Sequence, residues 1–306
     1  MSPSTLRRRL ATPVVALALL LPGCSVRKFA VNKVADALAE TGSSFASDED
    51  AELVGDAVPF GLKTMEGLLD ETPRHKGLLL AASSGFVQYA YAWVQVEGDY
   101  VEAQDLARAT ALRERARKLY LRARDYALRG LEVDFPGFRD RVARDPKAAL
   151  AQTKKAHVPL LYWTAMAWAG AMALKVNDSE VSADQSLVEA LMRRALELDE
   201  TWGLGSIHEF FIGWEAGRSS IGGSVERARE HFARAVEISG DRRAFPYLTL
   251  AESVSVSRQD KKEFTEMLEK AVAIDASRPS DQRLGNVIAQ KRARWLLGRV
   301  DELFIE

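Results

Sequence analysis

Cys24 is the one cysteine of the chain, and it follows directly on an apolar run. Three arginines at positions 7–9 precede that run, which covers residues 10–21, and Gly23 supplies a small residue beside the cysteine. A basic start, a short apolar stretch and a small residue at the cleavage point are typical of an export signal. Because a bilayer-spanning helix needs about 20 apolar residues, the pattern predicts a segment that is removed.

The tetrapeptide Leu21-Pro22-Gly23-Cys24 resembles the lipobox of bacterial lipoproteins. In a lipobox the cysteine thiol takes a diacylglycerol and becomes the first residue of the mature chain. We therefore predict a signal peptide over residues 1–23 and lipidation of Cys24. Acyl chains would then anchor the protein, since each buried methylene contributes roughly 0.8 kcal/mol. An ordinary signal peptide with a chance cysteine beside the cleavage point is the alternative.

His208 and Glu209 are the residues best suited to acid–base chemistry, because their stretch GSIHEFFIGWE is apolar on almost every side. Burial raises the pKa of a carboxyl, and such groups become useful in clefts. Pairing of Glu209 with an arginine, or capping of a neighbouring helix, explains the same residue without catalysis. No nucleophile, partner base or oxyanion donor accompanies the pair in sequence, so we predict that the protein is not an enzyme.

Metal and phosphate sites are not expected either. A structural zinc site requires close-set cysteine and histidine ligands, whereas the four histidines are scattered. The segment GRSSIGGS, residues 217–224, has the glycine spacing of a phosphate-binding loop, but Gly223 stands where that loop needs a lysine. We read it as a turn that leads into a helix at Val225. No metal and no cofactor are therefore predicted.

Aromatic side chains are better candidates for ligand binding. The stretch QYAYAWVQ places Tyr89 and Trp93 four residues apart on one helix face, with Tyr91 to the side, and residues 161–174 mix two tryptophans with methionines and alanines. Core packing explains these patterns, and an apolar pocket or channel between helix pairs is the alternative. For that alternative, the candidate ligand or channel residues are Tyr89, Trp93, Trp163, Trp168, His208 and Glu209.

Helices must position all of these residues, because apolar residues recur every three or four positions and no convincing alternating strand pattern occurs. Residues 24–48 are expected to form the lipid anchor, a short helix and a linker, and residues 49–306 an α-helical domain. Helix breaks are predicted near Pro73, Gly98, Pro136, Pro146, Asn177, Gly217, Gly240 and Pro279.

Three helices share an internal repeat of apolar residues at i, i+4 and i+7. The spacing resembles the second helix of a tetratricopeptide repeat, although intervals of 40 and 36 residues depart from the standard of about 34. We therefore predict an all-α fold, an irregular tetratricopeptide-like helical-hairpin solenoid with a concave surface or central channel. The three sets are Val188, Met192 and Ala195; Ala228, Phe232 and Ala235; and Phe264, Leu268 and Ala271.

The charge balance argues against a nucleic-acid partner. Removal of residues 1–23 takes away three arginines and no acidic residue, which leaves 39 basic against 43 acidic residues. Nucleic-acid-binding proteins carry a basic patch or stripe, and this sequence has no such signal.

Long blocks of the sequence resemble the T-component family of TRAP transporters. They are residues 45–94, LGSIHEFFIGWEA at 204–216, IGGSVERAREHFARAVEISG at 221–240 and RLGNVIAQKRARWLLGRVDELF at 283–304. The resemblance implies a lipid-anchored periplasmic protein that associates with a TRAP substrate-binding protein and takes an apolar or organic-acid ligand. It also makes a homotrimer an arrangement to consider. Ser25 after the lipidated cysteine favours the outer membrane.

Two functions from other classes stay open at the level of sequence. One is a general tetratricopeptide scaffold for envelope assembly. The other is a periplasmic hydrolase or lyase acting on cell-wall material, for which Glu209 would be the acid.

Overall fold

The computed structural model describes residues 23–40, 42–174 and 181–304. Residues 1–22 of the predicted signal peptide, the side chain of Cys24 and the predicted break at Asn177 lie outside those described parts. Within them the chain is helical and contains no strand, which confirms the all-α prediction. The solenoid arrangement and the domain boundaries at residues 23, 48 and 49 stay predictions.

Sixteen α-helices are numbered here in chain order within the described ranges. The first six are α1 (Gly23–Glu40), α2 (Gly42–Ala46), α3 (Ala51–Glu71), α4 (Lys76–Tyr89), α5 (Val96–Val101) and α6 (Leu106–Asp134). The next five are α7 (Phe138–Arg144), α8 (Pro146–Ala151), α9 (Val158–Ala173), α10 (Val181–Leu198) and α11 (Ser206–Gly217). The last five are α12 (Val225–Ser239), α13 (Phe245–Leu250), α14 (Lys261–Ala273), α15 (Arg283–Leu297) and α16 (Val300–Leu303).

In the described part of the chain, two π-helical turns interrupt otherwise continuous helices. Ala90–Gln95 joins α4 to α5, and Ala251–Ser255 follows α13 directly. Such turns carry i→i+5 hydrogen bonds and are frequent at functional sites, because they change which residues face a given side of the helix. Short 3₁₀ turns occur at Lys155–His157 and Trp202–Leu204.

Many of the helices have a short polar residue at the N-cap position. Asp50 accepts hydrogen bonds from the backbone N–H groups of Glu52 and Leu53 at the start of α3, and Ser224 accepts one from Arg227 at the start of α12. N-cap residues of this kind satisfy donors that the first turn leaves unpaired. The observed start of α12 at Val225 agrees with the turn predicted from GRSSIGGS.

Helices that follow one another in sequence pack together, and the core forms three connected groups of buried side chains along the chain. The residues of the three repeat sets face this core. Eight of the nine are fully buried, and Phe232 is partly buried. Their spacing was therefore a correct guide to the buried faces of α10, α12 and α14.

The end of the chain also packs against its beginning. Helix α15 contacts α2 and α3, and Arg292 on α15 pairs with Asp99 on α5 at 3.1 Å. The ring of Trp295 lies 5.0 Å from that of Tyr100. We call this contact of α15 with α5 the closure seam. Because neighbouring helices also contact one another in order from α3 to α15, the helix contacts run round in a ring.

Candidate functional site

A cavity of about 840 Å³ lies inside the ring. Its wall is built from α4, α6, α9, α11, α13 and α15 together with the π turn Ala90–Gln95. Nine aromatic side chains contribute to the wall: Tyr91, Trp93, Tyr120, Tyr162, Trp163, Trp202, Phe210, Trp214 and Phe245. Small-molecule sites are typically concave, mostly apolar and about 300–1,000 Å³ in volume, so the cavity has the dimensions of a ligand site.

Three of the six predicted site residues lie on this wall, namely Trp93, Trp163 and Glu209. The indole N–H of Trp93 donates to the carbonyl oxygen of Ala51 at 2.9 Å, which fixes the ring across α3. Trp163 packs edge-on against Tyr162, with 5.0 Å between ring centroids. Their role toward a ligand stays a prediction.

The other three, Tyr89, Trp168 and His208, do not line the cavity. Tyr89 stacks on Trp93 at 5.9 Å. Trp168 donates its indole N–H to Asp184 at 3.0 Å. His208 is buried between helices, with its Nδ1 atom 2.8 Å from Nδ1 of His231.

The π turn explains why Tyr91 lines the cavity and Tyr89 does not. The α-helical spacing of four residues grouped Tyr89 with Trp93, but the helix leaves that spacing at Ala90. With the wider turn, Tyr91 and Trp93 both reach the wall. Burial raises the pKa of the Tyr91 hydroxyl well above its ordinary value, and the nearby Glu252 carboxylate raises it further. Tyr91 is therefore a neutral phenol over the physiological pH range.

Polar groups on the wall are held by neighbouring residues. The hydroxyl of Tyr120 donates to Gln95 at 2.8 Å. Asn286 accepts from the backbone N–H of Ala244 at 2.9 Å and donates to the carbonyl oxygen of Arg242 at 2.9 Å. These two bonds fix the residues on either side of Arg243, whose guanidinium reaches the cavity wall.

Arg243 and Glu209 form an ion pair at the wall. One guanidinium nitrogen of Arg243 donates to Glu209 at 2.6 Å, and the other donates to Gln282 at 2.6 Å and to the carbonyl oxygen of Gly203 at 3.2 Å. The side chains are 12% and 16% exposed. Burial opposes the charged form of Arg243, but the carboxylate of Glu209 outweighs it and raises the pKa of the guanidinium.

Arg218 is the second cationic residue on the part of the wall that the structure describes. Its guanidinium lies 2.6 Å from Glu189 and stacks over the Trp214 ring at 4.8 Å. Glu189 also contacts Arg193. Despite partial burial, these two arginines lower the pKa of Glu189, so the carboxyl is ionised at neutral pH.

Sequence reasoning missed Arg218 and Arg243, because an arginine in a loop or at a helix end carries no signal of a cavity. Trp214 stood in the apolar stretch that contains Glu209, and its aromatic type was an available signal. Nowhere in residues 23–40, 42–174 and 181–304 do three or more histidine, cysteine or carboxylate residues cluster as metal ligands would. Likewise, no helix within those ranges combines the length and hydropathy of a membrane span.

Comparison with known proteins places this architecture in a family. A protein of Treponema pallidum (strain Nichols), described as uncharacterized, is 28% identical in an alignment 310 residues long, and the match covers 95% of this chain and 96% of the relative. The family model described as "TRAP transporter T-component" matches residues 47–304. That match covers well over half of the chain and indicates an accessory role in TRAP transport. The chain therefore belongs to the TRAP transporter T-component family.

Proposed function

We propose that the protein is a lipid-anchored periplasmic scaffold that binds a TRAP substrate-binding protein and takes an apolar or organic-acid ligand into its cavity during solute uptake. The observation that carries the proposal is the aromatic-walled cavity of about 840 Å³ at the centre of a T-component chain. A ring of helices leaves its outer surface for a protein partner and its interior for a small molecule.

Lipidation at Cys24 supplies the attachment in this proposal. Helix α1 begins beside that cysteine and packs on α3 and α4, with Ala35 buried and Asp36 3.1 Å from His75. An acylated N-terminus would therefore hold the ring close to the membrane surface. We expect the periplasmic face of the outer membrane, and we retain the homotrimer as an arrangement to test.

Pairing of Glu209 with Arg243 supports a binding role for this carboxylate over a catalytic one. A general acid must be free to reach a substrate, whereas the carboxylate of Glu209 is engaged by the Arg243 guanidinium at 2.6 Å. The cavity then has charged groups that balance each other, which suits binding.

The test is capture of partners from detergent-solubilised membranes by the mature protein, followed by mass spectrometry of the partners and of the N-terminal peptide. We expect a TRAP substrate-binding protein and an acylated Cys24. A Cys24→Ser variant is the control, and we expect it in the soluble fraction with its partner binding retained. Recovery of envelope-assembly factors without a TRAP component, or an unmodified Cys24, would contradict the proposal.

A further inference from the structure

The charged groups on the cavity wall are compensated in pairs. Arg243 contacts Glu209 at 2.6 Å, and Arg218 contacts Glu189 at 2.6 Å. Asp281 at the exposed rim adds a further carboxylate near Arg243. Among the described wall residues, neither cation is therefore left to attract an anion.

Of the two carboxylates, Glu189 and Glu209, the second has the larger effect on which ligands the cavity accepts. Glu189 divides its charge between Arg218 and the half-exposed Arg193, where solvent screens the interaction. Glu209 has Arg243 alone as its ion-pair partner in the described parts of the chain, and both side chains are largely buried. Water screens this pair less, so its charge balance has the larger effect on what enters the cavity.

A carboxylate or sulfonate entering the cavity loses hydration among aromatic side chains. To regain that free energy it must contact one of the two wall cations, and it meets the negative charge of Glu209 at Arg243 or that of Glu189 at Arg218. Both terminal nitrogens of Arg243 already have partners, Glu209 on one and Gln282 and Gly203 on the other, so an anion finds only its Nε–H and one terminal N–H without a partner. An uncharged ligand avoids this cost and gains contact with the aromatic wall.

We propose that Glu209 is a specificity-determining residue that neutralises Arg243 and thereby makes the cavity select uncharged aromatic or aliphatic ligands over anionic ones. This inference rests on the proposed function, because it names the class of molecule that the cavity takes. It decides between the two ligand classes considered above, the apolar and the organic-acid, in favour of the first.

Two fluorescent probes of nearly identical shape allow a direct test. N-phenyl-1-naphthylamine is uncharged, and 8-anilinonaphthalene-1-sulfonate is the same arylamine with one sulfonate. Both are titrated into the full mature chain with Cys24→Ser, which removes the acylation site and permits measurement without detergent. We expect the uncharged probe to bind at least tenfold more tightly than the sulfonate.

Glu209→Gln keeps the shape of the side chain and removes its charge. We expect this variant to bind the sulfonate at least tenfold more tightly than the parent, with the affinity for the uncharged probe changed by less than threefold. Glu237→Gln is the matched control, because Glu237 pairs with Arg234 on the exposed face of α12. It should leave both affinities unchanged.

Two further variants keep the test decisive if Glu209→Gln proves unstable. Glu209→Gln combined with Arg243→Met removes both charges and should restore the preference for the uncharged probe. Gly213→Leu adds a side chain on the wall facing Thr249, where a Cβ atom would make an ordinary contact at 3.6 Å. It should weaken both probes at least fivefold if they occupy the cavity.

Several results would overturn the inference. They are equal or tighter binding of the sulfonate by the parent, an unchanged sulfonate affinity in Glu209→Gln, and binding of either probe that Gly213→Leu leaves intact. Absence of saturable binding of the uncharged probe would do the same. Capture of the TRAP partner by the Glu209→Gln protein is measured in parallel. Loss of that partner would count against the proposed function and not against the role of Glu209 in ligand selection.

Discussion

Arg292 holds the closure seam together, and its replacement by methionine should destabilise the protein strongly. Its guanidinium lies 2.9 Å from Glu252 and 3.1 Å from Asp99, and the side chain is 12% exposed. It also stacks over the Trp295 ring at 4.5 Å. Arg292→Met keeps much of the aliphatic contact and removes every charged one.

The expected cost follows from these contacts. Hydrogen bonds to charged groups contribute about 1.5–3 kcal/mol each, and breaking a buried ion pair costs about 3–5 kcal/mol because the remaining charge is left unpaired. Asp99 keeps Arg113 at 2.9 Å, and Glu252 is 31% exposed, so the lower part of that range applies. We expect a loss of about 3 kcal/mol and a fall in Tm of about 6 °C for a chain of this length.

Thermal unfolding, followed by circular dichroism and by calorimetry, measures this loss. Arg299→Met is the matched control, because Arg299 stacks over the same Trp295 ring at 4.5 Å but pairs with the exposed Glu302. Exposed pairs contribute about 0–1 kcal/mol, so we expect a shift of at most about 2 °C. If Arg292→Met costs no more than Arg299→Met, the seam does not stabilise the ring as reasoned here.

The stability loss in Arg292→Met should also depend on pH, which gives a second, independent check of the role of Glu252. Burial raises the pKa of Glu252, and Arg292 opposes that rise. Without the arginine, the folded chain favours the protonated form of Glu252. Below the pKa of the unfolded carboxyl, Glu252 is protonated in both states, so Arg292→Met loses little free energy of unfolding through this group. The loss grows as the pH rises and Glu252 must carry its charge unpaired. The stability gap between parent and variant should therefore narrow between pH 8 and pH 5. A gap of constant size would show that Glu252 is not the group left unpaired.

The His208–His231 contact predicts an acid-sensitive stability. Burial and, to a smaller extent, the neighbouring His208 together lower the pKa of His231 to about 4, so stability present above pH 6.5 is lost as the pH falls toward 4, by less than about 1.4 kcal/mol per pH unit. His231→Gln should reduce the fall in Tm between pH 7 and pH 5, and an equal fall in both proteins would contradict this assignment. Gly55→Ala should destabilise by about 1–3 kcal/mol, because its Cβ would lie 2.5 Å or less from ring atoms of Trp93. Gly61→Ala on the same helix meets nothing within 4 Å and should stabilise by about 0.5–1 kcal/mol in urea unfolding, so a loss in both variants would refute the packing argument.

Periodicity predicted the helices and their buried faces, because a helix with an apolar stripe at three- and four-residue spacing packs that stripe against a neighbouring element. It placed a helix break near Gly98, whereas the helix continues through that residue and ends at Val101. Gly98 lies inside α5, buried against α6, where a Cβ atom would lie 3.4 Å from the carbonyl oxygen of Ala109. Here glycine permits close packing of two helices and does not end one.

The cavity was less accessible to sequence reasoning, because its wall combines residues that are far apart in the chain. Trp93, Trp163 and Glu209 lie on the wall, and large aromatics and a carboxylate in an apolar helix are visible in sequence, while their role toward a ligand stays a prediction. Arg243 and the contact of His208 with His231 depend on how α11 meets its neighbours, which local spacing does not encode.

The closure seam also has a consequence for the order in which the chain folds. Asp99 and Arg292 are roughly 190 residues apart, and a chain that is synthesised or exported from its N-terminus presents Asp99 for an interval before Arg292 follows. During that time Tyr91, Asp99 and Tyr100 have no α13 or α15 to pack against. Formation of the seam is therefore a late step of folding, and the N-terminal helices depend longest on protection from aggregation.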